Sequence, residues 1–145
     1  MDNVSVVYAT KTQHSRKLAE AIGKKLGVET KNIAEFPQAK ETSLLFLVGG
    51  IYAGKSNPAL LSYAERLDAS ITKKVVIVTS SVSISHRKQK ELRALLEKKG
   101  INVVDEITCT GGLLFIKFSH PNKTDIQTIA EKAMSILEKA RTDLL

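Results

Sequence analysis

The stretch Tyr8 to Lys17, YATKTQHSRK, sets the hydroxyls of Thr10, Thr12 and Ser15, the imidazole of His14 and three cations directly behind an apolar, β-branched run. It contains neither glycine nor carboxylate. Where a strand hands over to a helix, unpaired backbone N–H groups and the positive end of the helix dipole face the corner, and hydroxyls add further donors. That chemistry suits an anion such as a phosphate. The alternative is that Thr12 or Ser15 simply caps the helix.

Three more stretches carry comparable groups. In GGIYAGK, Gly49 to Lys55, an aromatic flanked by glycines follows an apolar run. Tyr52 there could stack on a flat ring, or be a partly covered surface residue. SSVSISHRKQK, Ser80 to Lys90, joins small hydroxyl residues to a basic run. Cations at a helix start oppose the dipole, which favours function over a merely solvated helix entry. The fourth stretch, Thr110 to Asn122, holds Gly111, Gly112 and His120. Five of the eight glycines, Gly49, Gly50, Gly54, Gly111 and Gly112, fall in these stretches, which marks an edge approached by a ligand more than a packing need.

The absent groups narrow the chemistry. No Asp or Glu occurs between Asp2 and Glu20, Glu41 and Glu65, Asp68 and Glu91, or Glu106 and Asp125. Those windows hold all three histidines, so no acid stands beside a base, and no carboxylates could hold a divalent metal there. The spacing of His14, His86 and His120 matches no local metal motif. Cys109, the only cysteine, reads as a small hydrophobe in or near a sheet.

Alternating elements must position these stretches. Val4 to Ala9, Val28 to Ile33, Leu44 to Val48, Val75 to Val78 and Ile101 to Cys109 read as strands, the last broken near Asp105. Leu18, Ala19, Ile22 and Leu26 recur at helical spacing before Lys24, Lys25 and Gly27; Pro58 to Leu67 and Lys88 to Lys99 repeat the design. The stripe from Ile126 to Leu137 is the last helix, with Asn122 and Asp125 resembling a capping box after Pro121. Strands alternating with helices imply an α/β, doubly wound parallel sheet with helices on both faces. In such a sheet ligands sit beyond the carboxyl ends of the strands, where all four stretches fall.

The 145 residues, 43% hydrophobic, suit a single domain spanning residues 1–145 with a continuous core. No apolar run is long enough to cross a bilayer, the start lacks a leader pattern and a lone cysteine suits a reducing compartment; the expected location is cytoplasmic, with no membrane partner. A formal charge of +7 favours anionic ligands or acidic partners, but no nucleic-acid motif accompanies it.

At these motifs the chain resembles the flavodoxins, in particular the short flavodoxin-like proteins of bacteria. YATKTQHSRKLAEAIG is similar to the family's phosphate loop, a pattern of Ser/Thr, any residue, Thr, Gly, Asn, Thr before the first helix. VGGIYAGKSNPAL is similar to its second loop, where an aromatic covers the flavin. VTSS and CTGG resemble the ends of the fourth and fifth strands, and SHPNKTDI the entry to the last helix. The resemblance runs almost end to end and implies a five-stranded sheet of order 2-1-3-4-5.

It further implies FMN as cofactor. Thr10, Lys11, Thr12, Gln13, His14 and Ser15 would hold its phosphate. Gly50, Ile51, Tyr52, Ala53 and Gly54 would line one side of the isoalloxazine, and Ser80, Ser81, Val82, Gly111 and Gly112 would bound the rest of the ring and the ribityl chain. In this family the protein performs no covalent chemistry; it binds FMN, tunes its potentials and passes electrons. Gln13 and His14 replace the pattern's Gly and Asn, which implies an altered loop and weaker phosphate affinity. The basic charge departs from the family's acidic surface and implies a redox partner protein with an acidic docking face.

Two other functions fit the same residues. An FMN-dependent NAD(P)H/quinone reductase or oxidase would need room for substrate beside the ring, under Leu113 to His120. A degenerate, flavin-free interaction module would need none. A phospho-receiver domain requires acidic residues after the first and third strands, and none stand there.

Overall fold

The computed structural model describes residues 3–9, 13–52, 55–81, 89–110 and 123–143. The elements run β1 (Val4–Tyr8), α1 (Gln13–Leu26), β2 (Thr30–Asn32), β3 (Thr42–Tyr52), β4 (Lys55–Ser56), α2 (Pro58–Glu65), β5 (Thr72–Ser81), α3 (Lys90–Lys98), β6 (Asn102–Thr110) and α4 (Lys123–Asp143). β2, β1, β3, β5 and β6 pair side by side in that order, all parallel. The two-residue β4 folds back antiparallel on the end of β3. Without that short arm the order is the 2-1-3-4-5 expected from the sequence.

Alternation along the strands divides the core between two faces. Val6, Tyr8, Phe46, Val48, Val76 and Val78 pack with Leu18 and Ile22 of α1 and with Ala133 and Leu137 of α4. Val7, Leu45, Leu47, Val75 and Ile77 pack with Leu60 and Tyr63 of α2 and with Leu92 and Leu96 of α3. Strands covered on both sides need apolar residues on both faces, which is why the centres of β1, β3 and β5 read as near-continuous apolar runs.

Helix ends follow their local chemistry. Gly27 (φ 73°) and Gly100 (φ 80°) hold the left-handed positions after α1 and α3. Asn57 Oδ1 accepts from Ala59 N at 2.8 Å, with Pro58 opening α2. The register between β5 and β6 slips after Val75↔Val103 to Val76↔Asp105, leaving Val104 as the extra residue of a bulge. The expected break near Asp105 is that bulge.

Three boundaries differ from the sequence reading. β2 is shorter, because only Thr30 to Asn32 find partners on β1. β3 does not stop at Val48: Gly49 and Gly50 pair with Thr79 and Ser80, and the strand continues to Tyr52. β5 likewise runs on to Ser81, beside Thr110 of β6. Neighbouring strands supply ladder partners that outweigh the turn preference of glycine and serine. The expected capping pair at Asn122 and the loops Ser83 to Lys88 and Leu113 to His120 lie outside the described residues.

Candidate functional site

The chain leaves β1 for β2 on one side and later returns to place β3 on the other. The carboxyl ends of β1 and β3 therefore flank the point where strand order reverses. The end of β1 is fixed from both sides: Ala9 N donates to Val48 O at 3.0 Å, and Ile33 N donates to Tyr8 O at 3.0 Å. A helix following a strand of a parallel sheet returns antiparallel to it, so α1 aims its N-terminus at this edge. Its first turn has no acidic residue, and the backbone N–H groups there have no intrahelical carbonyl to meet.

Of the residues expected at the first corner, Gln13, His14 and Ser15 form that opening turn; Thr10, Lys11 and Thr12 lie outside the described residues. Ser15 is fully buried and its Oγ lies 3.1 Å from Ser80 Oγ. This hydrogen bond joins the first corner to the end of β5 and brings together two residues 65 positions apart. Ser15 is therefore tied to the sheet instead of serving as a plain helix cap. Burial and, secondarily, the charge of Lys17 hold the His14 imidazole below its usual pKa of 6.5. Arg16 is tied along the helix to Glu20 at 3.0 Å, on the exposed face.

The second group converges on the same edge. Gly50 is buried and pairs with Ser80, while Ile51 and Tyr52 continue β3 and pair with Ser56 and Lys55 of β4. Gly49–Tyr52 is thus extended strand, and Lys55–Ser56 pairs back on its end, where the sequence suggested a loop. Ala53 and Gly54 lie outside the described residues, as do Val82, Gly111 and Gly112; Ser81 closes the backbone of β5. Gly49 corrects the reading of glycines as marks of ligand approach. A Cβ there would meet Leu60 Cδ2 at 2.6 Å, so at this position glycine answers a packing need of α2.

Sequence reasoning missed Gln89. It stands between two lysines, a context that reads as solvated, yet only 1% of it is exposed, and its Nε2 donates to Thr79 Oγ1 at 2.9 Å. No local spacing signals this; only the approach of α3 to the ends of β3 and β5 does.

Among the described residues no group of three or more His, Cys, Asp or Glu side chains could hold a metal ion, and no helix is long and apolar enough to cross a membrane. The donor set fits a phosphate-bearing ligand: the positive N-terminal end of the 14-residue α1, an adjoining hydroxyl pair and no carboxylate in the windows that build the edge.

Comparison with known proteins agrees with this architecture. A family model described as flavodoxin domain matches residues 5–139. An uncharacterized protein of Methanocaldococcus jannaschii is 29% identical over 139 residues, covering 87% of this chain and 91% of its own. Among solved structures, a flavodoxin from the domain Archaea superposes with a TM-score of 0.64 at 16% identity, over 95% of this chain and 99% of that one. A short-chain flavodoxin associated with a non-canonical PDU bacterial microcompartment gives 0.66 at 17% identity, over 97% and 99%. With its matched model spanning nearly all of its length and its sheet in the order 2-1-3-4-5, the chain belongs to the flavodoxin family.

Proposed function

We propose that this protein binds FMN at the carboxyl edge of the sheet and serves as an electron carrier. Bound FMN would supply reversible electron uptake, chemistry that no side chain on this edge can provide. The observation that carries the reading is the Ser15–Ser80 hydrogen bond, which joins the helix N-terminus that suits a phosphate to the strand end expected to bound the ring. Thr10 to Ser15 hold the phosphate, Gly50 to Gly54 line one side of the ring, and Ser80 to Val82 with Gly111 and Gly112 bound the remainder.

The carboxylate-free windows around the edge favour a doubly charged phosphate, and they favour a partner protein with an acidic docking face. Lys17 and Lys90, both exposed, stand on helix starts at this end of the sheet. Gln13 and His14 in the first turn of α1 lower the affinity for the phosphate relative to the family pattern.

Titration of FMN into the purified protein tests the reading. Saturable quenching of flavin fluorescence is expected, weaker with riboflavin, which has the ring but no phosphate. Absence of quenching by both overturns it and favours the flavin-free module. Turnover of NAD(P)H or quinone by the loaded protein alone would favour a reductase over a carrier, whereas reduction only through a partner reductase supports the carrier.

A further inference from the structure

The end of β5 is gripped from both faces of the sheet. Ser80 meets Ser15 on the α1 side. Thr79, one residue earlier and so on the opposite face, meets Gln89 at the start of α3. Gln89 Nε2 donates to Thr79 Oγ1 at 2.9 Å and lies 3.4 Å from Gly49 O, a longer second bond. Gly49 and Thr79 are register partners in β3 and β5, so one amide spans the two strand ends.

Two features set this contact apart from ordinary packing. Gln89 occupies the N-cap position of α3, yet its side chain makes no cap hydrogen bond, so the helix forgoes that stabilisation. Its Oε1 is buried and has no hydrogen-bond partner among the described residues. Burying an amide with one half unpaired is costly, and an apolar side chain of the same size would avoid that cost.

We propose that Gln89 is a positioning residue that fixes the separation of the β3 and β5 ends, and with it the backbone of Gly50–Tyr52 and of Ser80–Ser81. For its ligand the inference rests on the FMN reading above; for the brace it does not. Because the brace lies on the α2/α3 face and the phosphate corner on the α1 face, Gln89 governs the grip on the ring and leaves the contribution of the phosphate alone.

Gln89→Leu, which keeps the bulk, and Thr79→Val, which exchanges only the hydroxyl for a methyl, test this, with Thr79→Ser as the conservative control. Hydrogen exchange of the Gly50, Ile51 and Ser80 amides should accelerate about tenfold in the first two and stay unchanged in the third, while Phe46 and Val76 at the sheet centre keep their protection relative to global stability. Riboflavin affinity should weaken by about tenfold, with the ratio of FMN to riboflavin affinity unchanged. Unchanged exchange in both variants overturns the brace. Accelerated exchange with unchanged riboflavin affinity overturns the positioning role, and a collapsed FMN-to-riboflavin ratio overturns the separation of ring from phosphate. A wild-type protein that binds neither flavin overturns the FMN reading instead, and the exchange comparison still decides the brace.

Discussion

Ser15 Oγ and Ser80 Oγ lie 3.1 Å apart, with Ser15 fully buried and Ser80 partly open to solvent. The asymmetry predicts unequal mutants. Ser15→Ala leaves Ser80 able to turn to water and should cost about 1 kcal/mol, whereas Ser80→Ala strands a buried hydroxyl and should cost up to about 2 kcal/mol. Chemical denaturation of both variants and the double mutant checks this. A smaller loss in Ser80→Ala than in Ser15→Ala would refute the account.

Gly23 sits inside α1, where replacing glycine by alanine in an exposed helix gains roughly 1 kcal/mol. Here the sign should reverse. A Cβ would lie 2.8 Å from Val28 O, a backbone atom that cannot rotate away, and 2.5 Å from Thr30 Cγ2. Gly23→Ala should therefore destabilise by about 1–3 kcal/mol. Gly49→Ala should cost less, since its obstacle is the end of the Leu60 side chain. Thermal or urea unfolding of the pair ranks them; a stabilised Gly23→Ala would sink the prediction.

His14 gives a pH dependence of defined sign. Burial and Lys17 lower its pKa from 6.5 in the folded state, so the unfolded chain binds the proton more readily. Its unfavourable contribution is absent above 6.5 and grows as pH falls through that value toward the folded pKa. Stability should decline on acidification through this window, and His14→Gln should flatten the decline. Lys17→Ala should move the imidazole titration, followed by NMR, toward 6.5; a wild-type imidazole titrating above 6.5 would contradict the sign.

Arg93 joins α3 to β6 through Glu106 at 2.5 Å and also reaches Glu97 at 3.1 Å along its own helix. The Glu106 side chain is 4% exposed, whereas Arg93 is 39% exposed and screened accordingly. Arg93→Ala leaves a buried carboxylate without its cation and should cost roughly 1–3 kcal/mol, less than a fully buried pair. Glu97→Ala, at an exposed site, should change stability by no more than about 0.5 kcal/mol. Equal losses in the two variants would refute the distinction.

Much of the fold is legible because its signals are local. Buried parallel strands need near-continuous apolar runs, so Val4–Tyr8 and Val75–Val78 announce themselves, and Lys24–Lys25–Gly27 and Lys98–Lys99–Gly100 mark helix ends through dipole and backbone chemistry. The first corner is legible for the same reason: hydroxyls gathered between a strand and a helix are a pattern of neighbours in sequence.

What escaped the sequence depends on which elements become neighbours in space. Gly49 and Gly50 look like a turn until β5 offers them ladder partners, and the close approach of Leu60 that favours glycine at position 49 comes from another element. Gln89 looks solvated until α3 docks and buries it against Thr79. Strand–helix alternation, the lack of carboxylates along one edge and the residue types available there are written in the order of the residues alone. The Ser15–Ser80 contact and the Gln89 bridge between two strands are not, because a hydrogen bond across 65 residues exists only after the sheet has chosen its order.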